Sequence, residues 1–394
     1  MELADQNYIK MHSQKMILST MIKHYPISRV KLSELTNLNK ATVSLQTNSL
    51  IEKHLVSEIG AGASNGGRKP ILLVFNKNAG YAVGVELAAN YIQTILIDLE
   101  GNMLFSDYFE FVTQSMEALK IILIERIRLV TNHAPESPYG IIGIGVAVHG
   151  FCNENQTVVY TPNSNWDKVD IKNLLEDQFN FPVFIDNEAN AGAFGEKLYG
   201  SIGHSDNSIY ISVGTGIGLG IILNNKLYRG SDGFLGELGH MTIEFNGKKC
   251  VCGNQGCWEL YASESAFFNN LSRIKKGREM THEKANKMIQ ENDGDILIEI
   301  EKFGYCLGIG ITNLINTFNP DSIILRSNLI EANPIILKSI KKAVSNRIAR
   351  YIPLKNEILI SQLNRNAAVL GAASFMIEKF LVNPKIYNKC SVPR

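Results

Sequence analysis

The stretch SIYISVGTGIGLGIILNNKLYRG, residues 208–230, repeats the pattern of YAVGVELAANYIQTILIDLEGNMLFSDYFEF, residues 81–111. Each copy reads as a buried strand, a turn, a second strand, another turn and a third strand. The last turns fall at Glu100-Gly101 and Asn224-Asn225, and helical patterns follow both copies. Two copies of one three-strand start, each followed by helices, predict a duplicated α/β body with a cleft between two lobes.

The segments around these copies complete the two lobes. In lobe 1 the sequence predicts a helix at Met116–Thr131, a strand in GIIGIGVAVHG, and a strand running into a helix in PVFIDNEANAGAFGEKLYG. Lobe 2 is predicted to end on helices and strands in alternation. These are helices near 300–316 and 334–350, strands at 322–325 and 357–361, and a closing helix from Ala367.

The length and the charge distribution limit the classes of protein to which this chain can belong. A chain of 394 residues indicates two or three domains, and it contains neither an apolar run of about 18 residues nor a signal-peptide pattern. We therefore expect a protein of the reducing cytoplasm with no membrane span.

Residues 1–80 carry 10 Lys+Arg against 5 Asp+Glu, although the net charge of the chain is only +1, so this basic head is expected to meet a polyanion. The predicted domains are a head (1–77), lobe 1 (78–195), lobe 2 (196–382, its final helix returning toward lobe 1) and a tail (383–394).

The segment GELGHMTIEFNGKKCVCGNQGCWE, residues 236–259, gathers three of the six Cys of the chain and one upstream His. Three thiolates and one imidazole are the ligand set of structural Zn²⁺, and three Gly allow the loop to fold tightly around an ion. A catalytic zinc fits less well, because four protein ligands leave no open position. The alternative of three unrelated buried thiols is disfavoured by the clustering. The predicted zinc ligands are His240, Cys250, Cys252 and Cys257.

The basic head has the pattern of a helix-turn-helix domain. Residues 14–24 form an amphipathic helix, and Ser28 can cap a second helix at Arg29–Thr36, on which Leu35 is expected to face inward. A short turn then leads to a third helix, predicted at 41–53. In this arrangement the later helix enters the major groove of DNA through its N-terminal residues.

The exposed end of the third helix is polar apart from Ala41, and alanine suits a thymine methyl group. The following residues, LVSEIGAGASNGGRKPILLVF, alternate as a strand, a Gly-rich tip and a second strand, which is the pattern of a wing. Basic residues at such a tip would contact phosphate. These features and the basic charge favour DNA over the alternative of a small helical domain that binds protein. The predicted DNA-contacting residues are Arg29, Asn39, Lys40, Ala41, Thr42, Ser44, Gln46, Arg68 and Lys69.

Polar residues with the chemistry of a sugar site are expected to line the cleft. Asn187 and Glu188 lie at the end of a strand, where open sheets place ligand sites, and Glu237 and Glu259 flank the metal loop. Carboxylates and amides suit hydroxyl-rich ligands, because each sugar hydroxyl both donates and accepts hydrogen bonds. The glycines of GTGIGLG, residues 214–220, could cradle a phosphate, but a structural hairpin explains them equally well.

These residues resemble a known family, the ROK family of bacterial repressors, open reading frames and sugar kinases. The resemblance rests on ISVGTGIGLGIILNNKLYRGSDGFLGELGH and on CVCGNQGCWE, and it covers essentially the whole chain. The head and TPNSNWDKVD resemble the branch formed by the xylose repressors of Gram-positive bacteria. The resemblance implies a winged helix-turn-helix head before a two-lobed, actin-like body of the hexokinase (ribonuclease H-like) type, with structural zinc. The sugar contacts it implies are Asn163, Asn187, Glu188, Glu237, His240 and Glu259.

Departures from the kinases of this family point away from catalysis. The kinases carry an Asp at the position of Glu188, where it takes the proton from the attacking sugar hydroxyl. They carry Asp-x-Gly-Gly-Thr at the positions of Glu86-Leu87-Ala88-Ala89-Asn90, and a Gly-Gly pair in place of Arg326-Ser327. Without those glycines the backbone cannot approach phosphate closely. We therefore expect no enzymatic activity and no catalytic residue.

The sequence predicts a xylose-responsive repressor. Glu is one methylene longer than Asp, so Glu188 would fill the space of a hexose C6 and leave room for a pentopyranose such as D-xylose. We expect a homodimer that binds palindromic operator DNA and releases it when xylose binds. The alternatives are an active ATP-dependent sugar kinase with a DNA-binding head, and a constitutive DNA-binding protein with a silent cleft.

Overall fold

The computed structural model describes residues 2–61, 70–112, 115–161, 166–203, 205–352 and 355–382. Among these residues, no helix is long and apolar enough to cross a membrane. A small head precedes two lobes, each built on a five-stranded sheet. The predicted tail at 383–394 lies outside the described residues.

The head is a three-helix unit with a small sheet. Its elements are α1 (Glu2–His24), β1 (Ile27–Ser28), α2 (Arg29–Thr36), α3 (Lys40–Glu52), β2 (Val56–Ala61) and β3 (Ile71–Phe75).

Side-chain caps set two of the helix starts in the head. The Ser28 hydroxyl accepts a hydrogen bond from the backbone of Lys31, and the Asn39 side chain accepts one from Thr42. The expectation that Leu35 faces inward is wrong. Leu35 is 43% exposed, because Leu32 and Thr36 already occupy the buried face of α2.

Lobe 1 carries a mixed sheet in the order β11-β7-β4-β5-β6 and a separate three-stranded sheet, β10-β9-β8. The small sheet was not predicted from the sequence. The elements of the lobe are β4 (Tyr81–Leu87), β5 (Tyr91–Asp98), β6 (Met103–Glu110), α4 (Met116–Thr131), β7 (Ile141–Val148), β8 (Phe151–Cys152), β9 (Val158–Thr161), β10 (Trp166–Val169), α5 (Ile171–Phe179), β11 (Val183–Asn187) and α6 (Glu188–Tyr199).

Lobe 2 repeats this plan with a sheet in the order β14-β13-β12-β15-β16. Asn224 and Asn225 adopt the positive φ values that a tight hairpin turn requires, as the sequence predicts. The elements of the lobe are β12 (Ser208–Val213), β13 (Ile217–Leu223), β14 (Lys226–Tyr228), α7 (Glu259–Ala262), α8 (Glu264–Ile274), α9 (His282–Gln290), α10 (Gly294–Phe318), β15 (Ser322–Arg326), α11 (Asn328–Ala332), α12 (Ile335–Arg347), β16 (Glu357–Ile360) and α13 (Ala367–Val382).

Helices α6 and α13 cross between the lobes in nearly direct backbone contact. A Cβ atom added at Gly371 would lie 1.8 Å from the carbonyl oxygen of Ala191, so only glycine permits this crossing. A Cβ atom at Gly145 would meet the carbonyl of Ala372 equally closely, which places α13 directly on the sheet of lobe 1. The last helix therefore returns to lobe 1.

The head and lobe 1 share one hydrophobic cluster. It joins Ile17, Met21 and Leu50 of the head to Ala82 and Ile95 of the lobe 1 sheet. Buried apolar contact of this kind couples the positions of two units, because separating them would expose the shared surface to water.

Candidate functional site

The residues predicted to bind zinc converge at one point. One ligand atom from each of His240, Cys250, Cys252 and Cys257 lies within 4.8 Å of the others. The Sγ atoms of Cys252 and Cys257 are 3.7 Å apart, and Nδ1 of His240 is 3.6 Å from Sγ of Cys250. A tetrahedron with Zn–S bonds of about 2.3 Å has edges of about 3.8 Å. The donor set and its spacing therefore fit a structural zinc ion, for which Nδ1 is the nitrogen of His240 that faces the thiols.

The loop is folded by short backbone bridges that leave little room. Thr242 pairs with Cys257, and Lys249 pairs with Gln255. Gly256 has φ +75°, and a Cβ atom there would lie 1.9 Å from the carbonyl oxygen of Glu244. The glycine is thus required by both conformation and space.

Two carboxylates lie beside the cluster. Oε1 of Glu259 is 3.3 Å from Nδ1 of His240 and 3.4 Å from Sγ of Cys250. Glu237 begins the 3-10 turn that ends at His240. Burial, with a contribution from the charge of Glu259, raises the pKa of Glu237 to about 7. Glu259 therefore contacts two of the predicted metal ligands, and Glu237 lies close enough to Glu259 to be affected by its charge.

The glycine stretch at 214–220 forms a strand turn. Gly214 donates a backbone hydrogen bond to Gly216 at 3.0 Å, closing the turn between β12 and β13. Oε2 of Glu259 lies 2.8 Å from the position of a Cβ atom at Gly216. Of the two readings left open by the sequence, the turn conformation matches the structural hairpin, with the Glu259 carboxylate packed against it.

Asn187 and Glu188 stand at the junction of β11 and α6. The Asn187 side chain accepts from the backbone of Ala189 and Asn190 and donates to the carbonyl of Gly150. Its amide is thus engaged as the helix cap. Glu188 is 6% exposed, and its Oε1 accepts a hydrogen bond from the Ser212 hydroxyl at 2.8 Å.

A buried polar group that sequence reasoning missed lies next to Glu188. Oε1 of Glu86 is 2.9 Å from Nε2 of His149 and accepts a 2.7 Å hydrogen bond from Tyr91. Ligand atoms of Glu86, His149 and Glu188 lie within 4.8 Å of one another. Glu86 lies near the end of the buried strand β4, and His149 follows β7 directly, so their place at adjacent strand ends was the available signal.

Charge within this group is balanced by neighbouring cations. Burial opposes the charged form of His149, but Glu188 and Glu86 outweigh it and raise the pKa of the ring. Burial likewise opposes ionisation of Glu86, yet His149 and Arg326 hold the pKa of Glu86 below its ordinary value. Arg326 is the register partner of Ser212 on the adjacent parallel strand, so a cation stands where the resemblance places a Gly-Gly pair.

The predicted DNA-contacting face of α3 is largely exposed, with one correction. Gln46 is 6% exposed, and its Oε1 accepts a 2.9 Å hydrogen bond from Gln14 of α1. The expectation that Gln46 faces DNA is therefore wrong, because this side of α3 packs against α1. Leu45, which was not predicted, is 67% exposed on the opposite side. Asn39, Lys40, Ala41, Thr42 and Ser44 remain at least partly exposed.

Arg29 has intramolecular partners on both sides. Its Nη1 is 2.9 Å from Oε1 of Glu58 on β2, and its Nη2 donates to Oδ1 of Asn48 on α3 at 2.9 Å. The structure thus gives Arg29 a bracing position between the wing strand and α3. Arg68, Lys69 and Asn163 lie outside the described residues.

Comparison with known proteins gives a consistent result. A model of the ROK family matches residues 82–379. The chain is 49% identical over 381 residues to the xylose repressor of Bacillus spizizenii, and the match covers 97% of this chain and 99% of that protein.

Two solved structures show how far the likeness extends. A ROK family transcriptional regulator, a homolog of the E. coli MLC protein, superposes with a TM-score of 0.84 at 26% identity over 97% of this chain and 100% of its own. A ROK family glucokinase from Streptomyces griseus, solved with glucose and AMPPNP, gives 0.68 at 25% identity over 75% of this chain and 99% of its own. The glucokinase thus leaves a quarter of this chain unmatched, whereas the regulator spans nearly all of it.

Proposed function

Because the chain belongs to the ROK family, we propose that it is a sugar-responsive transcriptional repressor of xylose-utilisation genes, which releases operator DNA when D-xylose binds between its lobes. The observation that carries this proposal is the end-to-end identity of 49% to a xylose repressor, which includes both the head and the cleft. The winged helix-turn-helix fold of the head supports DNA binding.

The head would bind a palindromic operator as one half of a homodimer, since two-fold DNA sites mirror two-fold proteins. Lys40 and the wing residues Arg68 and Lys69 would contribute salt-dependent affinity through phosphate, while Ala41 and its exposed neighbours read base edges. Leu45 adds an exposed aliphatic group to that face. Arg29 would act by holding Asn48 in place.

The cleft would bind the sugar through Glu188, Glu237 and Glu259, with the free ring nitrogen of His240 as a further contact. Asn187 would contribute mainly as the cap that positions Glu188, and Asn163 stays a proposed contact from the resemblance. A structural zinc on His240 and the three thiolates would supply rigidity to the loop that carries Glu237 and Glu259.

An absence of catalysis follows from the same residues. A Glu replaces the kinase Asp at position 188, and Arg326 places a half-buried cation near Glu188 and Glu86. The alternative function is an active sugar kinase with a DNA-binding head, and the likeness to a glucokinase supports this alternative.

Fluorescence anisotropy on DNA upstream of the chain's own gene cluster tests the proposal, with xylose, glucose or no sugar at fixed salt. We expect release with xylose, by a factor of roughly 5–150, and retention with glucose. Binding that no sugar alters would refute the sensor, and ADP formation from ATP and sugar would establish the kinase instead. A Glu188→Ala variant should bind the operator normally and ignore xylose.

A further inference from the structure

We propose that Glu86, His149 and Glu188, together with Ser212 of β12, form a polar bridge between the lobes, in which His149 is the positioning residue that relays occupation of the sugar site to the sheet of lobe 1. The inference rests on the proposed function and deepens it. It assigns a role to residues that lie at the ends of β4 and β7 and at the start of α6, outside the zinc loop.

The lobe 1 end of this bridge is fixed from several sides. Glu86 is 2% exposed at the end of β4, and its Oε1 holds both the Tyr91 hydroxyl and Nε2 of His149. The backbone N–H of His149 donates to the carbonyl of Leu87 at 3.1 Å. Both strand ends of lobe 1 therefore move with the imidazole.

The other end of the bridge lies at the start of α6, the last helix of lobe 1, where it contacts the sheet of lobe 2. Glu188 is the first residue of α6, and Oε1 of its carboxylate accepts from Ser212 on β12. A Cβ atom at Gly220 of β13 would lie 2.2 Å from the carbonyl oxygen of Ala189, so the start of α6 is seated against the lobe 2 sheet. The 4.8 Å group of Glu86, His149 and Glu188 thus reaches lobe 2 through the hydrogen bond between Ser212 and Glu188.

Charge makes the bridge sensitive to a ligand. Two carboxylates buried this close together are costly unless cations lie beside them, and the neighbouring imidazole supplies one positive charge when it is protonated. A sugar hydroxyl that donates to Glu188 would satisfy part of that carboxylate and weaken its hold on His149. Oε2 of Glu86 is buried without a hydrogen-bond partner among the described residues. A second acceptor on the lobe 1 side is therefore available to the imidazole of His149.

A physical path leads from the bridge to the head. Strands β4 and β5, which carry Glu86 and Tyr91, contribute Ala82 and Ile95 to the hydrophobic cluster that also contains Leu50 of α3. A shift of these strands relative to lobe 2 would therefore move the residues against which the head packs. Packed cores respond to such shifts by discrete rearrangement, because they have little free volume.

The test compares wild type with His149→Gln, which keeps an amide donor but removes the charge. Xylose affinity is measured by calorimetry, and operator affinity is measured by anisotropy with and without xylose. We expect xylose still to bind and sugar-free operator affinity to stay near wild type, while the release factor falls from roughly 5–150 to near one. His133→Gln is the matched control, because His133 stacks on Phe105 at 3.7 Å on an outer part of lobe 1 and should leave release intact.

Other outcomes would overturn the bridge. Full release in His149→Gln, or loss of xylose binding in step with loss of release, would show that His149 relays nothing. If His149→Gln does not fold, Tyr91→Phe, which removes only the hydroxyl that braces Glu86, must lower the release factor or the proposal fails. One equivalent of Mn²⁺ bound by wild type and lost in His149→Gln, seen by electron paramagnetic resonance, would make the group a metal site instead. Wild-type protein whose operator binding no sugar alters would refute the proposed function itself. This result distinguishes failure of the proposed function from failure of the bridge alone.

Discussion

Arg29 donates a hydrogen bond from Nη2 to Oδ1 of Asn48, and the 2.9 Å contact joins the start of α2 to the exposed face of α3. The same guanidinium pairs with Glu58 of the wing strand. Sequence reasoning placed Arg29 among the DNA-contacting residues, but these partners indicate that it braces the predicted DNA-binding surface. A phosphate contact and a structural brace predict different dependences of operator affinity on salt concentration.

Replacing Arg29 with Ala should weaken operator binding without changing its dependence on salt. A lost phosphate contact would lower the slope of log affinity against log salt by about 0.9, whereas a lost brace lowers affinity at all salt concentrations alike. Anisotropy titrations between about 50 and 200 mM salt distinguish these results. The control is Arg128→Ala, an exposed Arg on α4 of lobe 1. A reduced slope would instead show that Arg29 contacts phosphate.

Leu45→Ala should reduce operator affinity and relax the base preference at one position. Leu45 is 67% exposed on the proposed recognition helix, where an aliphatic group can contact a thymine methyl. A lost base contact costs about 1–3 kcal/mol, so binding to the intact operator should weaken while binding to unrelated DNA should not. Competition with operators mutated one base pair at a time measures this. Ile121→Ala, which removes a 60% exposed aliphatic group from α4, should have no effect.

Cys252→Ser should lose bound zinc and the response to xylose together. Cys252 is one of four converging ligands, and a hydroxyl is a poor substitute for a thiolate. Metal content by mass spectrometry and operator release by anisotropy are the measurements. Cys306→Ser, at a half-buried thiol on α10 outside the cluster, should retain both properties. A zinc-free Cys252→Ser protein that still releases DNA would remove the structural role of the metal.

Gly371→Ala should destabilise the body far more than Gly294→Ala. A methyl group at 371 would overlap the Ala191 carbonyl, whereas nothing lies within 4 Å of the same position at Gly294. Overpacking of a helix crossing costs about 1–3 kcal/mol or more, and an unobstructed helical Gly→Ala change is neutral or stabilising. Thermal unfolding midpoints of the two variants test the difference. Equal midpoints would mean that α6 and α13 can separate at little cost.

Xylose affinity should increase as pH rises through about 7. Burial raises the pKa of Glu237 to about 7, so below that value the folded protein holds a proton that hinders acceptance of sugar hydroxyls. The same shift means that ionising Glu237 lowers the folding stability of the sugar-free protein as pH rises from about 4.5 to 7. Sugar hydroxyls that donate hydrogen bonds favour the ionised form of Glu237, so sugar binding releases the proton of Glu237. Calorimetry between pH 6 and 8, spanning roughly one unit on each side of that pKa, should show the trend in wild type and a flat profile in Glu237→Gln.

The sequence by itself determined the local elements and the close approach of three candidate metal ligands. Alternating apolar residues and paired turns predicted the repeated three-strand start, because strand periodicity is a property of neighbouring residues. Ser28 and the Asn224-Asn225 turn were equally readable, since caps and turns act over two or three residues. The predicted zinc ligands Cys250, Cys252 and Cys257 lie in eight residues, so chain connectivity alone brings them together.

Only the tertiary structure decided which distant groups meet. Glu86, His149 and Glu188 are brought together by the strand order β11-β7-β4, and register places Arg326 beside Ser212. Gln46 turned inward because α1 packs on one side of α3, and Gln14 supplied its partner there. Periodicity reports that a helix has two faces, but the neighbouring element decides which face is buried. The physical reason is that long-range contacts depend on which surfaces pack together, and that choice belongs to the whole chain.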